Sequence, residues 1–298
     1  MGKFGLILLL VLFVFGGFYF FREKEPMTER MNLPPEQSFG TTPERMGGPV
    51  GELEVESQKS PENLVEIYDQ KEPRYWGESV PGVVVGIDTE EKILALTLDA
   101  CDGDYDRKLI TRLREEEIPA TLFVASPWLV DHEEELGALG QDPLFDIAGH
   151  GKDHLPLSVT GREVYGQKGT ESPEQVIEEI MANSDQIDQV IGQTPFYFRS
   201  GTAYYDEVAV KIARDLGKEV IGFTVAADGG ATLGKREIEQ AVLGVEPGGI
   251  ILAHMNHPNS EIEEGLLAGI LALRDKGYEF VQLKEYREEF LFSGQDQE

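Results

Sequence analysis

ILALTLDACDG, residues 93–103, decides how the rest of the chain is read. Its first eight residues contain no Gly or Pro and are largely apolar, as a strand buried inside a domain would be. The run finishes on Asp99, and Asp102 and Gly103 follow shortly after. Short apolar runs of the same kind recur downstream: ATLFVA (120–125), FDIAG (145–149), FYFRS (196–200), EVIGFTV (219–225), GIILAHM (249–255) and YEFVQL (278–283). Amphipathic segments lie between them, including 106–117, 206–217 and 260–277. SPEQ at 172–175 supplies an N-cap Ser, a Pro at the first helical position and a Gln three residues after the cap. Strands alternating with helices predict an α/β domain with a parallel sheet, closed into one barrel over 76–290.

Outside that region the chain has a different character. Phe4–Phe21 carries no charge and ends in bulky aromatics, so residues 1–21 are expected to form a membrane anchor, with a cleaved signal peptide as the alternative. Residues 22–75 are rich in Pro, Gly and Glu without sustained periodicity, and they read as a polar tether. Ser60-Pro61-Glu62 makes a reasonable start for a short helix within it. Residues 291–298 form a tail. The formal charge of −29 argues against a broad phosphate-binding surface, and so against nucleic acid as a partner. One cysteine rules out an internal disulfide and a multi-cysteine zinc centre.

In parallel barrels the chemistry gathers at the C-terminal ends of the strands. Here those ends deliver Asp99 and Asp102, His150 with His154 nearby, Arg199, Asp228 and His254. Two histidines four residues apart would share one face of a helical turn and could reach one metal ion, with a carboxylate as the obvious third ligand. His254 is a candidate general acid, a role that neighbouring His257 is also placed to share. A buried Arg199 would hold a catalytic carboxylate ionised, and Asp228 would orient a histidine. Cys101, with no partner of its own, is read as a spacer between the acids.

Taken in order, TLDACDG, HGKDH, FRSGTAYY, AADGG and ILAHMNHP resemble the motifs of the polysaccharide deacetylase family, also called the NodB homology domain and similar to carbohydrate esterase family 4. The resemblance spans about residues 92–286 and implies a distorted (β/α)7 barrel that removes acyl groups, mostly N-acetyl groups, from glycans with a divalent metal, commonly zinc. It implies Asp99 as the catalytic base with Arg199 against it, His254 as the acid that protonates the departing amine, and Asp228 as its orienting partner. A backbone N–H in the arginine motif would stabilise the oxyanion. Asp102, His150 and His154 would hold the metal.

This sequence departs from the family at three points, as a variant of the TLDACDG type. Two residues separate its acids where the family has none, so Asp104, Asp106 or Asp99 stand beside Asp102 as sources of the third ligand. Gly151 replaces a hydroxyl residue in the metal motif. R-S-G-T-A-Y-Y replaces R-P-P-Y-G, and the Gly-rich segment 156–170 either rims the substrate cleft through Tyr165 or Arg162 or merely connects.

The reading reached from the sequence is a metal-dependent deacetylase of an envelope or extracellular polysaccharide. It would be anchored to the cell membrane with its catalytic domain outside the cytoplasm. A hydrolase of small cyclic amides in the same fold, a non-catalytic glycan-binding relic and an iron-dependent oxygenase are the competing readings.

Overall fold

The computed structural model describes residues 60–294. The anchor expected at 1–21 and the tether as far as residue 59 lie outside the described residues, as do 295–298. No described helix is long and apolar enough to cross a membrane.

The chain opens with α1 (Pro61–Tyr68), β1 (Val84–Ile87), β2 (Ile93–Ala100), α2 (Arg107–Glu115), β3 (Ala120–Val124), α3 (Ser126–Asp131), α4 (Glu133–Gly140) and β4 (Phe145–Gly149). A small hairpin follows, β5 (Glu163–Val164) and β6 (Gln167–Lys168), then α5 (Pro173–Ile191), β7 (Tyr197–Phe198), α6 (Glu207–Asp215), β8 (Glu219–Val220) and β9 (Val225–Ala226). It ends with α7 (Lys235–Leu243), β10 (Ile250–His254), α8 (Ile262–Asp275), β11 (Glu279–Val281) and β12 (Phe290–Phe292).

The main sheet runs β8-β7-β4-β3-β2-β10-β9, and every pairing along it is parallel. β11 adds to the early part of β2, opposite β10, since Ala95 is paired with both Val281 and Ile250. Every residue of β2 is buried, because helices cover one face and the curled interior covers the other. The period of two sorts the strand cleanly. Leu94, Leu96, Leu98 and Ala100 join the cluster beneath the helices, and Ile93 and Ala95 join the interior cluster. Thr97 and Asp99 continue that interior row.

Helix boundaries follow the sequence cues. Ser172 accepts the N–H of Gln175 and caps α5, which ends at Gly192 in the left-handed conformation. Helices α7 and α8 approach closely because α8 carries Gly265 and Gly269: a Cβ at Gly269 would lie 2.6 Å from Val242. The short helix anticipated near Pro61 is α1. It does not belong to a free tether, because Leu64 is buried among Val176, Ile180 and Ile212, and the Tyr68 hydroxyl donates to Asp215 at 2.8 Å.

The sheet is a curled parallel half-barrel rather than seven full strands. EVIGFTV, expected as one strand, divides into β8 at one edge and β9 at the other, and Ile221–Thr224 spans between the two edges. That link bonds elsewhere: Gly222 donates to Val84 O at 2.7 Å, and the Ile221 and Gly222 carbonyls accept from the Arg199 side chain. The tail expected from residue 291 begins inside β12, which pairs antiparallel with β1.

Candidate active site

Strand β2 delivers Asp99 into the interior, 3% exposed, where it meets Arg199, the residue after β7, with no exposure at all. Arg199 Nη1 donates to Asp99 Oδ1 at 2.7 Å and to Thr97 Oγ1 at 3.1 Å. Nε and Nη2 donate to Ile221 O and Gly222 O, and the guanidinium lies 4.1 Å from the Phe123 ring centroid. The same guanidinium therefore satisfies the two freed carbonyls and fixes Asp99. Burial alone would raise the Asp99 pKa, but Arg199, then His150 and His254, outweigh it and hold the carboxyl below its usual range.

His150 follows β4 and is 1% exposed. Its Nδ1 lies 3.0 Å from Arg199 O, and a carbonyl can only accept, so Nδ1 carries the proton and Nε2 presents a lone pair. That Nε2 is 3.7 Å from Asp99 Oδ2 and 3.7 Å from Cys101 Sγ. Burial holds the His150 pKa below its ordinary value despite Asp99, which keeps the ring neutral.

His154 reaches the same place by a route the sequence did not indicate. Residues 150–154 form no helical turn: Gly151 has φ +97° and His154 φ +57°, so the loop doubles back. Glu179 on α5 holds it there, accepting from Asp153 N and Leu155 N at 3.0 Å each, and Asn183 accepts from His150 N and Gly151 N. A Cβ at residue 151 would collide with the Glu179 carboxylate, which explains the glycine where the family has a hydroxyl residue. The His150 and His154 rings meet edge-on at 4.9 Å. His154 Nε2 is buried without a hydrogen-bond partner among the described residues.

The third donor beside these histidines is Cys101. Its Sγ and one nitrogen from each histidine all lie within 4.8 Å of one another. Asp102 does not join them. Its side chain is exposed, and its backbone oxygen accepts from Asn256 Nδ2 at 2.7 Å. The period of the strand is the reason: Asp99 points inward, Ala100 outward to the helices, Cys101 inward again and Asp102 outward. Counting in twos from Asp99 was the available signal, and it selects the thiol. Of the other carboxylates weighed for this place, Asp104 is exposed and Asp106 caps α2 by accepting Leu109 N, whereas Asp99 does lie beside His150 Nε2, at 3.7 Å, with its other oxygen held by Arg199. Burial pushes the Cys101 thiol up, but hydrogen bonds with His154 and His254 more than offset this and leave it lowered, toward thiolate.

His254 ends β10 in register with Asp99 on the adjacent strand. Asp228, fully buried, accepts its Nδ1–H at 3.0 Å and its backbone N–H at 2.8 Å. Burial works against a charge on His254, but the Asp228 hydrogen bond, then those of Cys101 and the nearby acids, raise its pKa well above the ordinary value. His257 is exposed, with its ring 6.1 Å from that of His254, and does not line the cleft.

Asp99, His154 and His254 open into one cleft of about 560 Å³, which Thr202, Phe223 and Tyr165 also line. Two buried nitrogen donors, one of them unpartnered, and a thiol lowered toward thiolate suit a divalent ion of zinc type. A donor set of three leaves a position open for water or substrate. Asn183, Glu179 and Thr202 were not singled out from the sequence, since single polar residues in a helix or a loop carry no pattern.

A curled parallel α/β sheet with an ion-paired acid, a carboxylate-oriented histidine and a cluster of metal-type donors at its C-terminal end has the architecture of a carbohydrate-esterase fold. The family model "Polysaccharide deacetylase" matches residues 86–221, a little under half of the chain. The chain is 23% identical over 228 residues to the uncharacterized protein YlxY of Bacillus subtilis, covering 75% of this chain and 66% of that one. It thus spans slightly under two thirds of that relative. Among solved structures it resembles BA3943, a CE4 family pseudoenzyme from Bacillus anthracis, at 21% identity and a TM-score of 0.56, covering 67% of this chain and 66% of that one. It also resembles Bacillus subtilis PdaA, a family 4 carbohydrate esterase, at 21% identity and a TM-score of 0.58, covering 76% of this chain and 88% of that one. At these identities the two structures share the fold.

Proposed function

We propose that the chain is a hydrolase that removes acetyl groups from a polysaccharide, N-acetyl rather than O-acetyl, with a divalent ion, zinc, held by Cys101, His150 and His154. The observation that carries this reading is the placement of Asp99–Arg199 and His254–Asp228 on adjacent strands beside those three donors. The ion, when bound, supplies Lewis acidity toward the acetyl carbonyl and lowers the pKa of water. Asp99, kept ionised by Arg199, accepts a proton from the attacking water. Thr202 lines the cleft and has a backbone N–H that makes no hydrogen bond among the described residues, so it is the donor assigned to the carbonyl oxygen as charge develops. His254, protonated and held through Nδ1 by Asp228, donates from Nε2 to the departing amine. The uncharged run at residues 4–21 supports attachment to a membrane with this domain outside the cytoplasm, where such polymers lie.

A second reading, glycan binding without turnover, is favoured by one observation: a thiol stands where the family places a carboxylate. BA3943, described as a pseudoenzyme, keeps that reading in play. Metal analysis together with acetate release from chitin oligomers, peptidoglycan and acetylated xylan, with and without chelator, separates the two. Release that chelation stops and D99N abolishes supports the hydrolase. Glycan binding without release, in a protein that takes up no metal, supports the binding module.

A further inference from the structure

The β5–β6 hairpin projects beside the cleft and turns through two residues, Tyr165 with φ +54° and Gly166 with φ +77°. Asn, Asp or Gly adopt the first of these conformations at little cost, whereas a bulky aromatic there is strained. Burial does not offset that strain, because Tyr165 is 77% exposed. Its ring meets Tyr204 edge-on at 5.6 Å, Tyr204 lies 5.7 Å from Trp76, and Arg162 sits 5.9 Å over Trp76. The hairpin is also tied to the metal-type donors: Gln167 Nε2 donates to His154 O at 2.8 Å. Tyr165, Gln167 and Glu78 line the cleft that holds Asp99 and His254, and among the described residues no lysine or arginine lines it. Apart from His254 at the catalytic end, an anionic group would find no counter-charge there. A neutral sugar ring, with an apolar C–H face, matches an exposed aromatic face.

We propose that Tyr165 is a specificity-determining residue whose ring stacks on the sugar next to the one being deacetylated, so that the protein selects chains over single sugars. The proposal rests on the deacetylase reading for its kinetics but not for its binding. Two measurements keep the two apart.

In the first, acetate release is followed with chito-oligosaccharides of increasing length. Y165A is expected to raise KM for the longer oligomers roughly tenfold with kcat little changed, and Y165F to restore it. An unchanged dependence on chain length in Y165A, or Y165F behaving as Y165A does, overturns the proposal. In the second, the same oligomers are titrated into the D99N protein and tryptophan fluorescence is read. If no glycan releases acetate, the deacetylase reading falls and this titration decides alone. A saturable signal that Y165A weakens supports the stacking site. No signal, or one that Y165A leaves unchanged, overturns it.

Discussion

Cys101 Sγ lies 3.7 Å from His150 Nε2, one residue past the end of β2 and two past Asp99. A thiolate is a softer ligand than the carboxylate the family would supply, and it leaves a spectroscopic mark on an open-shell ion. Cobalt(II) added to the purified protein is therefore expected to give a near-ultraviolet thiolate-to-cobalt charge-transfer band. C101S should lose that band and D102N should keep it. A band that survives C101S, or cobalt binding that depends on Asp102, would show that the loop rearranges to bring the acid in.

Arg199 has a structural duty as well as an electrostatic one. Replacing it with Met strands Asp99 and the carbonyls of Ile221 and Gly222 in the interior, so unfolding in urea should show a loss of about 3–5 kcal/mol. D99N also leaves a buried charge without its partner, but it keeps an oxygen that accepts from Arg199 and leaves the two carbonyls satisfied, so it should cost less than R199M while abolishing acetate release. Equal losses for the two variants would mean that the carbonyl contacts contribute nothing.

His254 draws its raised pKa chiefly from Asp228, against the opposing effect of burial. The stability this pair contributes is complete below the ordinary histidine pKa and disappears as pH rises through the raised value. A general acid also loses activity as pH climbs through its own pKa. D228N removes the charge, so the alkaline limb of the rate profile should move to lower pH, and the variant's stability deficit should be larger at neutral pH than in alkali. An unmoved alkaline limb would take His254 out of the acid's role.

The arrangement of the candidate site was legible in the sequence wherever strand ends carried it. Asp99, His150, Arg199 and His254 follow apolar runs whose burial forces a strand, and the register of parallel neighbours then places them side by side. The link at Ile221–Thr224 was not legible: an apolar run reads as one strand until an arginine from another strand takes its carbonyls. Cys101 was passed over because the acids around it drew the reading, although the period of β2 pointed to it. Gly151 read as a missing hydroxyl, when its reason is Glu179, a helix residue 28 positions later. Side chains that arrive from distant helices leave no local trace.

Glu179 yields a pH effect that can be separated from catalysis. Burial outweighs the Leu155 and Asp153 N–H groups it accepts and pushes its pKa up to about 7, from 4.5. Between those values the folded protein holds a proton that the unfolded chain releases. The contribution of this group therefore weakens as pH rises from about 4.5 to about 7, by up to about 3 kcal/mol, and is level beyond. E179Q keeps an acceptor for the loop and cannot ionise. Urea unfolding of the metal-free protein should thus show E179Q gaining on the wild type as pH is raised through that window, and holding its gain above it. A difference that stays constant across the window would mean that Glu179 is already ionised in the fold, with the loop carrying His154 built around a charge rather than a neutral acid.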